Sequence, residues 1–560
     1  MILVVFNLHT TSVCEKTSRH ISKIENKKLA KKLKNEYFKL LKNTEKMAFL
    51  VGIDRFQIRM SSLEELIAKD NPVRFVEAFV EHLDLSKLGF EVSVPKTEGR
   101  PAFDSKVFLK LYFYGYLNGL RSSRRLEREC MRNLEVQWLL NSLQPNYHTI
   151  ADFRKNNPKA LQSTFKLFVG FLRDADLVAG NVVAIDGTKV RASNSKKNNY
   201  NPKKIARHLE YIETKTNEYL QELEENDQKE SDKEKVSHIQ EKINRLKASK
   251  IRYEAYQEKL EKSTEPQIST TDSDARALLV AGQVVEVSYN VQAAVDQKHN
   301  LVIGTHTINR NDRNALTDIA LETQQNIDSS KFTVLVDKGY HNGREIENTQ
   351  KAGIKTIVAT PELVNSNAYG TTAEYMVDKF IYHQETDTYT CPQGKTLQTT
   401  GTWHTKSRER DSYKMKKYRT PDCKQCTVRH LCTFKADGRR EIERSQYADA
   451  VELNKRNYLQ NKDLYRKRQE INEHIFGTIK RQWGYNYTNL RGLSKVNGEM
   501  ALIMTVYNIK RAHQILGFEE LMKKLKNWEP KYPIAMPTTK KRLILSPSAE
   551  PKKYAFAQAA

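Results

Sequence analysis

Residues 284–337 read VVEVSYNVQAAVDQKHNLVIGTHTINRNDRNALTDIALETQQNIDSSKFTVLVD, and the spacing of the apolar residues in this segment indicates the fold class. Its apolar runs at 284–296, 301–308 and 332–337 predict three strands, and the helical spacing of ALTDIALETQQNI between them predicts a helix. The predicted strand VVAID precedes this segment, and a predicted helix at GREIENTQKAG and the predicted strand TIVAT follow it. With a further helical pattern at 446–482, the order β-β-β-α-β-α-β-α predicts an α/β core with a mixed sheet.

Two aspartates follow apolar strands of this core. Asp186 ends VVAID and precedes Gly187, and Asp337 ends FTVLVD before the turn KGY. Carboxylates at the ends of neighbouring strands can converge on the crevice at a sheet edge. Because Mg²⁺ prefers carboxylate oxygens, we predict that the two acids share a divalent cation beside a phosphate. The alternative is that each is a solvated aspartate at a strand end.

A third acid is expected from a helix that packs against the sheet. The sequence QEINEHIFGTIKRQWGY supplies Glu473, and Lys480 follows seven positions later. Two α-helical turns would place both side chains on one face about 10 Å apart, with Glu473 at the metal and Lys480 at a phosphate. Arg481 adds a second cationic contact, and Trp483 offers a stacking surface for a base. The alternative is that Glu473 and Lys480 are solvated and Trp483 belongs to the core.

The N-terminal part, residues 47–178, is predicted to be an all-α domain that binds DNA. Apolar residues recur at helical spacing in SLEELIAKD, VRFVEAFVEHL, SKVFLKLYFYGYL and ALQSTFKLFVGFL. Thr149 is predicted to cap the helix of HTIADFRKNN. The candidates for contact with DNA ends lie in this helix and in the basic turn RSSRR, and are Arg121, Arg124, Arg125 and Arg154. A helical bundle with solvated charges is the alternative.

Two insertions interrupt the core. Residues 203–262 have apolar positions at steps of three and four on both sides of the polar run ENDQKESDKEK, which predicts an antiparallel helical hairpin; dimerisation through it is the alternative. Residues 361–445 contain the pattern C-x31-C-x2-C-x5-C, formed by Cys391, Cys423, Cys426 and Cys432. Thiolates at C-x-x-C spacing bind Zn²⁺, so a structural zinc site is predicted. His430 is a rival ligand, and reduced cysteines without metal are the alternative.

Composition bounds the partners of the chain. Its 560 residues include 93 Lys and Arg against 68 Asp and Glu, a formal net charge of +25 at pH 7, which favours nucleic acid. No segment approaches the roughly 20 apolar residues of a membrane span, and the N-terminal MILVVFNL lacks the features of a secretory signal. A cytoplasmic protein with no membrane partner is expected. Residues 1–46 are interpreted as a basic extension upstream of a start at Met47, and 516–560 as a basic, largely disordered tail.

Four blocks of sequence carry the most specific signal. They are AIDGTKVRA around Asp186, VLVDKGY around Asp337, EHIFGTIKRQWG around Glu473, and RGLSKVNGEMALIMTVYNIKR after it. The blocks SVPKTEGRPAF, RSSRRLE, HTIADFRK and YNVQAAVD extend the signal over most of residues 50–515. Together they resemble bacterial insertion-sequence DDE transposases.

The resemblance implies an RNase H-like catalytic core at residues 179–515, with Asp186, Asp337 and Glu473 as metal ligands. Two Mg²⁺ or Mn²⁺ ions, on the order of 4 Å apart, would support in-line attack on a phosphodiester. The implied activity is cleavage at terminal inverted repeats and strand transfer to target DNA by a homodimer on paired ends. A catalytically inactive, domesticated DNA-binding protein and a nuclease of the same fold that does not join DNA are the alternatives.

One departure from a related signature concerns the helix of Glu473. The Tyr-Arg-Glu-Lys signature has Tyr seven and Arg four residues before the Glu, where this chain has Arg466 and Gln469. Tyr465 and Arg468 each lie one residue earlier. The spacing from Glu473 onward is kept, so the metal ligands stay predicted, whereas roles for Tyr465 and Arg468 at flanking nucleotides stay open.

Overall fold

The computed structural model describes most of the chain between residues 54 and 532. The described residues are 31–32, 34–36, 38–39, 54–58, 60–91, 102–227, 233–263, 265–280, 284–329, 331–361, 371–408, 411–435 and 437–532. Most of the predicted extension 1–46, most of the SVPKTEGRPAF block and residues 533–560 lie outside them. The chain divides into two compact units, Met1–Ser62 and Leu63–Ala560, and the elements below belong to the second.

The N-terminal part of this unit is helical, as predicted. Its helices are α1 (Leu63–Leu66), α2 (Pro72–Glu81), α3 (Ser105–Leu117), α4 (Ser123–Arg132), α5 (Leu134–Leu139), α6 (Tyr147–Asn156) and α7 (Pro158–Asp174). Asn71 and Asp104 cap α2 and α3 by accepting backbone N–H groups of the first turn. The predicted cap Thr149 is wrong, because Asn146 caps α6 and accepts the Thr149 N–H at 2.9 Å.

The central part is a mixed α/β structure. Its elements are β1 (Val182–Arg191), β2 (Asn199–Tyr200), α8 (Pro202–Asp227), α9 (Lys233–Glu261), β3 (Ile268–Ser269), β4 (Arg276–Val280), β5 (Val284–Asp296), β6 (Val302–Ile308), α10 (Leu316–Ile327), β7 (Thr333–Val336), α11 (Gly343–Lys351) and β8 (Lys355–Val358). The main sheet has the order β4-β5-β1-β7-β8, with β6 also paired to β5. β5 is antiparallel to β1, whereas β7 is parallel to both β1 and β8. The predicted mixed sheet is thus confirmed, and β4 is an additional strand that the sequence pattern did not indicate.

The segment expected to form a helical hairpin consists of α8 and α9, which pack against each other. Buried isoleucines on both helices contribute to the contact, among them Ile205, Ile212, Ile239 and Ile243. At the base of the pair, the rings of His208 and Tyr253 stack with centroids 4.7 Å apart. The short β2–β3 ladder connects the two ends of the insertion to each other.

The cysteine-containing segment forms a second sheet, which the sequence analysis did not predict. Its strands are β9 (Ile381–His383), β10 (Thr388–Thr390), β11 (Thr396–Thr399), β12 (His404–Arg408), β13 (Asp411–Arg419) and β14 (Ile442–Ser445), with the short helix α12 (Arg429–Cys432) between the last two. The order is β12-β13-β11-β10-β9, and β14 pairs with β13. A small core of its own includes Phe380, Tyr389, Leu397 and Tyr418.

The C-terminal helices complete the structure. They are α13 (Ala448–Gln460), α14 (Lys462–Phe476), a π-helix at Gly477–Gln482, and α15 (Leu493–Lys526). α15 packs against α2, α3 and α7 on one side and against β6 on the other, so helical region and sheet share one hydrophobic core. Gly498 allows α15 to pack closely against the start of α7, because a Cβ at this position would collide with the backbone of Pro158.

The prediction of a disordered tail from residue 516 is wrong for its first part. The helix continues to Lys526 beyond a break at Gly517, whose φ is 72°. Leu521, Leu525 and Trp528 are buried, and Trp528 packs edge-on against Phe171 with ring centroids 5.2 Å apart. The helices that the structure describes include none that is long and apolar enough to cross a membrane.

Candidate active site

Strand register places Asp186 and Asp337 side by side. The parallel pairing of β1 with β7 ends at Ile185 opposite Val336, and each aspartate is the next residue along its strand. Adjacent strands lie about 4.8 Å apart, so the two aspartates lie close together at the same end of the β1–β7 ladder. The prediction that Asp186 ends its strand is wrong, because β1 continues to Arg191 in antiparallel pairing with β5. The two aspartates are neighbours because β7 ends just before Asp337, beside the point where the longer β1 passes through Asp186.

Burial and neighbouring charges set the ionisation of Asp186. Burial raises the pKa of its carboxyl; the Gly187 N–H, at 2.8 Å, and the positive charge of Arg468 oppose that rise. The negative charges of Asp312 and Asp337 raise the pKa further. A carboxylate among other carboxylates is the environment in which a bound cation gains most, because the cation removes the repulsion.

Asp312 is a third acid of this neighbourhood that the sequence analysis missed. Its Oδ1 accepts hydrogen bonds from Asn290 at 2.7 Å and Gln292 at 2.9 Å, and Lys189 Nζ lies 2.9 Å from its Oδ2. Burial disfavours its ionised form, but the Lys189 charge and these hydrogen bonds outweigh burial and lower the pKa of Asp312. The available signal was the polar run NRNDRN directly after β6, which places an acid at a strand end as for Asp337.

Gly187 allows this network to approach Asp186. A Cβ at residue 187 would collide with the side chains of Gln292, Asp312 and Asn290. The glycine after the first aspartate is therefore required by packing. It brings a fixed negative charge, Asp312, close to Asp186 without a direct contact between the two.

α14 lies over the aspartate pair and contacts β1 and β7. Arg468 Nη1 lies 3.4 Å from Asp186 Oδ2, and the Arg468 guanidinium lies 5.7 Å from the centre of the Tyr465 ring. Burial raises the pKa of Tyr465, and the nearby negative charge of Asp337 adds to the rise. Tyr465 and Arg468 thus lie at the site even though their spacing departs from the signature.

Glu473 and Lys480 point in different directions. Glu473 is exposed and its Oε1 accepts a hydrogen bond from Gln469 at 2.7 Å. Lys480 is half-buried, and its Nζ donates to Thr188 Oγ1 at 3.1 Å and to the Lys189 carbonyl at 3.0 Å. The prediction that two α-helical turns place them on one face is wrong, because α14 becomes a π-helix at Gly477.

Comparison with protein families adds two matches. A model described as a transposase DDE domain matches residues 390–513, and one described as a transposase domain (DUF772) matches residues 61–156. These matches indicate an insertion-sequence DDE transposase. No curated protein and no solved structure matches the chain significantly.

A transposase of this family acts on DNA by nucleotidyl transfer, and its DDE domain typically implies a divalent metal. The DDE match contains Glu473 and Lys480, whereas Asp186 and Asp337 precede it in the chain. Within the described part of the chain, no three His, Cys, Asp or Glu side chains are grouped closely enough to bind a metal ion. In this conformation Glu473 is exposed and its carboxylate is hydrogen-bonded to Gln469.

The four clustered cysteines, Cys391, Cys423, Cys426 and Cys432, are free thiols in the described part of the chain. Burial raises the pKa of the Cys423 thiol, and raises that of Cys432 to about 11. Other thiols of the set, including Cys391 and Cys426, are among the charges that raise both values. As no metal-binding group is present among the described residues, the zinc prediction gains no support.

Two of the four arginines predicted to contact DNA ends are internal. Arg121 is 5% exposed, and its Nη2 lies 2.8 Å from Glu499 Oε1 and 2.7 Å from the Tyr487 carbonyl. Arg154 is also 5% exposed, lies 4.0 Å from the same carboxylate oxygen and donates to Tyr116 Oη at 2.6 Å. The prediction is wrong for both in this conformation, because buried guanidiniums paired with Glu499 offer no surface to a phosphate.

The remaining DNA candidates are on or near the surface. Arg124 and Arg125 are exposed, and the Arg124 guanidinium lies 3.9 Å from the centre of the Tyr147 ring. Arg481 is exposed at the end of the π-helix. Trp483 is half-buried, packs against the core and has Lys510 Nζ 5.5 Å from its ring centre, so only part of the ring is open to a base.

Proposed function

We propose that this chain cleaves DNA at the ends of an insertion sequence and joins those ends to target DNA, using an RNase H-like core. The observation that carries the proposal is the register of β1 and β7, which sets Asp186 beside Asp337 in a chain that matches two transposase models. The mixed order β4-β5-β1-β7-β8 is consistent with such a core.

The chain's own residues have distinct tasks in the proposed reaction. Asp186 and Asp337 hold Mg²⁺ or Mn²⁺, with Glu473 as the third ligand. When bound, a pair of such ions polarises the scissile phosphate and makes a water or a 3′-hydroxyl a stronger nucleophile. Arg468 restrains the Asp186 carboxylate, and Lys480 places a positive charge beside β1 at the same edge of the sheet.

DNA is the proposed substrate and partner. Arg124 and Arg125 on the helical region and Arg481 beside the site are exposed cations that can contact phosphates. Since transposition joins two element ends to one target, a homodimer with one end per protomer is part of the proposal. The net charge of +25 supports association with a polyanion.

The test uses the full-length protein and linear DNA that carries the inverted repeats flanking the gene. With Mg²⁺ or Mn²⁺, the wild-type protein is expected to release 3′-hydroxyl ends and to join them to a second DNA. Asp186→Asn and Asp337→Asn are expected to reduce both products below detection, because the cation loses a ligand, while binding of the ends is retained. Glu254→Gln, which changes an exposed carboxylate on α9, is the matched control.

Each outcome separates the proposal from an alternative. End binding without any nick in the wild-type protein would identify an inactive DNA-binding protein. Cleavage without joined products, at any DNA ratio, would identify a nuclease. Normal cleavage by either aspartate variant would show that this carboxylate is not a metal ligand.

A further inference from the structure

The helix that carries Glu473 turns a different residue toward the aspartate pair. Arg468 Nη1 lies 3.4 Å from Asp186 Oδ2, and Asn472, one helical turn after Arg468, is only 2% exposed. Glu473 is exposed and bonded to Gln469. In this conformation Asn472 therefore lies on the sheet-facing side of α14, where the third carboxylate of the proposed site is expected.

Asn472 makes poor use of this buried position. Neither its amide nitrogen nor its amide oxygen has a hydrogen-bond partner among the described residues, although both atoms are buried. Buried amides in folded proteins are nearly always hydrogen-bonded, because an unpaired polar group loses its water without compensation. An unsatisfied side chain opposes its own burial, because its polar atoms have lost their hydrogen bonds to water.

The π-helix that follows α14 contains one extra residue. A π-helical turn closes hydrogen bonds five residues apart instead of four, and such turns occur frequently at functional sites. Here the N–H of Trp483 donates to the Thr478 carbonyl, five residues earlier, at 3.0 Å. Lys480 lies within this wider turn, and its side chain reaches the Lys189 carbonyl on β1. The π-helix thus changes the register of everything that follows it relative to α14.

Helical geometry gives the size of that change. At about 100° per residue, Arg468 and Lys480, which are 480 − 468 = 12 positions apart, would point about a third of a turn apart in an unbroken α-helix. When one residue is absorbed between them, the two directions differ by only about 20°. Glu473 precedes the extra residue and is 473 − 468 = 5 positions after Arg468, so it points away from the sheet.

We propose that the π-helical turn moves along the helix, past Glu473, and that this one-residue shift exchanges Asn472 for Glu473 at the aspartate pair. With the extra residue between Arg468 and Glu473, the Glu473 side chain turns by about 100° onto the sheet-facing side. Arg468 lies before the moved turn and Lys480 after it, so both keep their contacts. The inference rests on the proposed function, since it supplies the third ligand of that site.

The charges of the site explain why Glu473 is turned outward here. Its carboxylate would meet those of Asp186 and Asp337, and like charges repel unless a cation lies between them.

Two single-residue deletions test the shift in the full-length protein, because each leaves a continuous α-helix with a different residue facing the sheet. Deletion of Asn472 brings Glu473 permanently to the site, whereas deletion of Thr478 fixes Asn472 there. Mn²⁺ affinity, measured by calorimetry and by electron paramagnetic resonance without DNA, is expected to equal or exceed wild type in the first variant. In the second it is expected to fall about tenfold or more, because one ligand is missing. Equal affinities in the two deletions would overturn the inference.

Substitutions test the same idea without shortening the helix. Glu473→Gln is expected to lower Mn²⁺ affinity about tenfold or more, and Glu470→Gln, exposed on the same helix, is the control that stays at wild type. The exchange Asn472→Glu with Glu473→Asn puts a carboxylate at the sheet in the present register, so it is expected to restore the affinity. Wild-type affinity in Glu473→Gln contradicts the shift.

The inference and the proposed function fail in different ways. If Asp186→Asn abolishes Mn²⁺ binding and Glu473→Gln leaves it unchanged, the aspartate pair stands and the register shift is wrong. If Asp186→Asn binds Mn²⁺ as tightly as wild type, the proposed metal site itself is wrong, and the shift falls with it.

Discussion

Two clusters of charged side chains in this molecule have opposite designs. Arg121, Arg154 and Glu499 are buried between the helical region and α15, and Glu499 pairs with both arginines. Asp186 and Asp337 lie where β7 ends beside β1, are partly exposed, and are contacted by fewer cations than acids. In the first cluster, the charges are paired within the protein, and the pairs stabilise the fold. The second cluster has an excess of negative charge, and an excess of negative charge favours the binding of a cation.

Removal of Glu499 is expected to have the largest effect on stability. In Glu499→Ala the two buried guanidiniums lose their counter-charge, which should lower the free energy of unfolding by about 3–5 kcal/mol. Chemical denaturation followed by circular dichroism measures the change. Glu519→Ala, exposed on the same helix, is the control and should stay within about 0.5 kcal/mol of wild type. If Glu499→Ala lowered the free energy of unfolding only slightly, the buried cluster would not be the stabilising one of the two.

The same cluster should respond to acid. Burial disfavours the ionised form of Glu499, but Arg154 and Arg121 outweigh burial and lower its pKa below 4.5. A carboxyl with a lowered folded-state pKa stabilises the protein above its unfolded value and loses that contribution as pH falls through the folded value. The stability difference between wild type and Glu499→Ala should therefore be constant above about pH 5 and narrow below it. Thermal melts between pH 3 and pH 7 measure this, and an unchanged difference at pH 3 would contradict the ionised pairing.

Lys480 provides a smaller test on the side of the open cluster. Its half-buried ammonium has neutral oxygen partners, and burial lowers its pKa, so a phosphate is a better partner than those present. Lys480→Ala should weaken binding of the DNA ends and reduce the slope of log affinity against log salt by about one. Lys247→Ala, exposed on α9, should leave the slope unchanged. Equal slopes in wild type and Lys480→Ala would exclude a phosphate contact.

The smallest expected effect separates two arginines of one turn. Arg125 is exposed, so Arg125→Ala should weaken DNA binding modestly and keep the free energy of unfolding within about 0.5 kcal/mol of wild type. Arg121→Ala should do the reverse, because it removes a buried partner of Glu499. Fluorescence anisotropy and denaturation on the same two variants give the comparison. If Arg121→Ala and Arg125→Ala changed DNA binding and stability in the same way, burial would not explain a difference in role between the two arginines.

The features that could be predicted from the sequence are those that depend on residues close together in the chain. Apolar strands that end near an acid indicated Asp186 and Asp337. The two aspartates are adjacent, however, because Ile185 pairs with Val336, and this pairing joins two strands that are far apart in the chain. FGTIKRQW has the composition of an α-helix, so the π-turn that separates Glu473 from Lys480 was not visible.

Long-range partners explain the other errors. The basic turn RSSRR has the composition of a surface, yet Arg121 is paired with Glu499, which lies 499 − 121 = 378 residues later. The tail from residue 516 is polar in composition, whereas Leu521 and Leu525 pack into a core built by much earlier helices. In both cases the deciding partner is remote in sequence, and local composition carries no information about it.

The burial of Trp528 has a consequence for damaged copies of the gene. A stop codon shortly after residue 515 would keep every acid of the proposed site and the basic turn RSSRR. It would nevertheless remove Leu521, Leu525 and Trp528, which cover the aromatic side of α2 and α7. Such a truncated product would expose phenylalanine rings to water, so a reading frame that looks catalytically intact would encode a protein prone to aggregation.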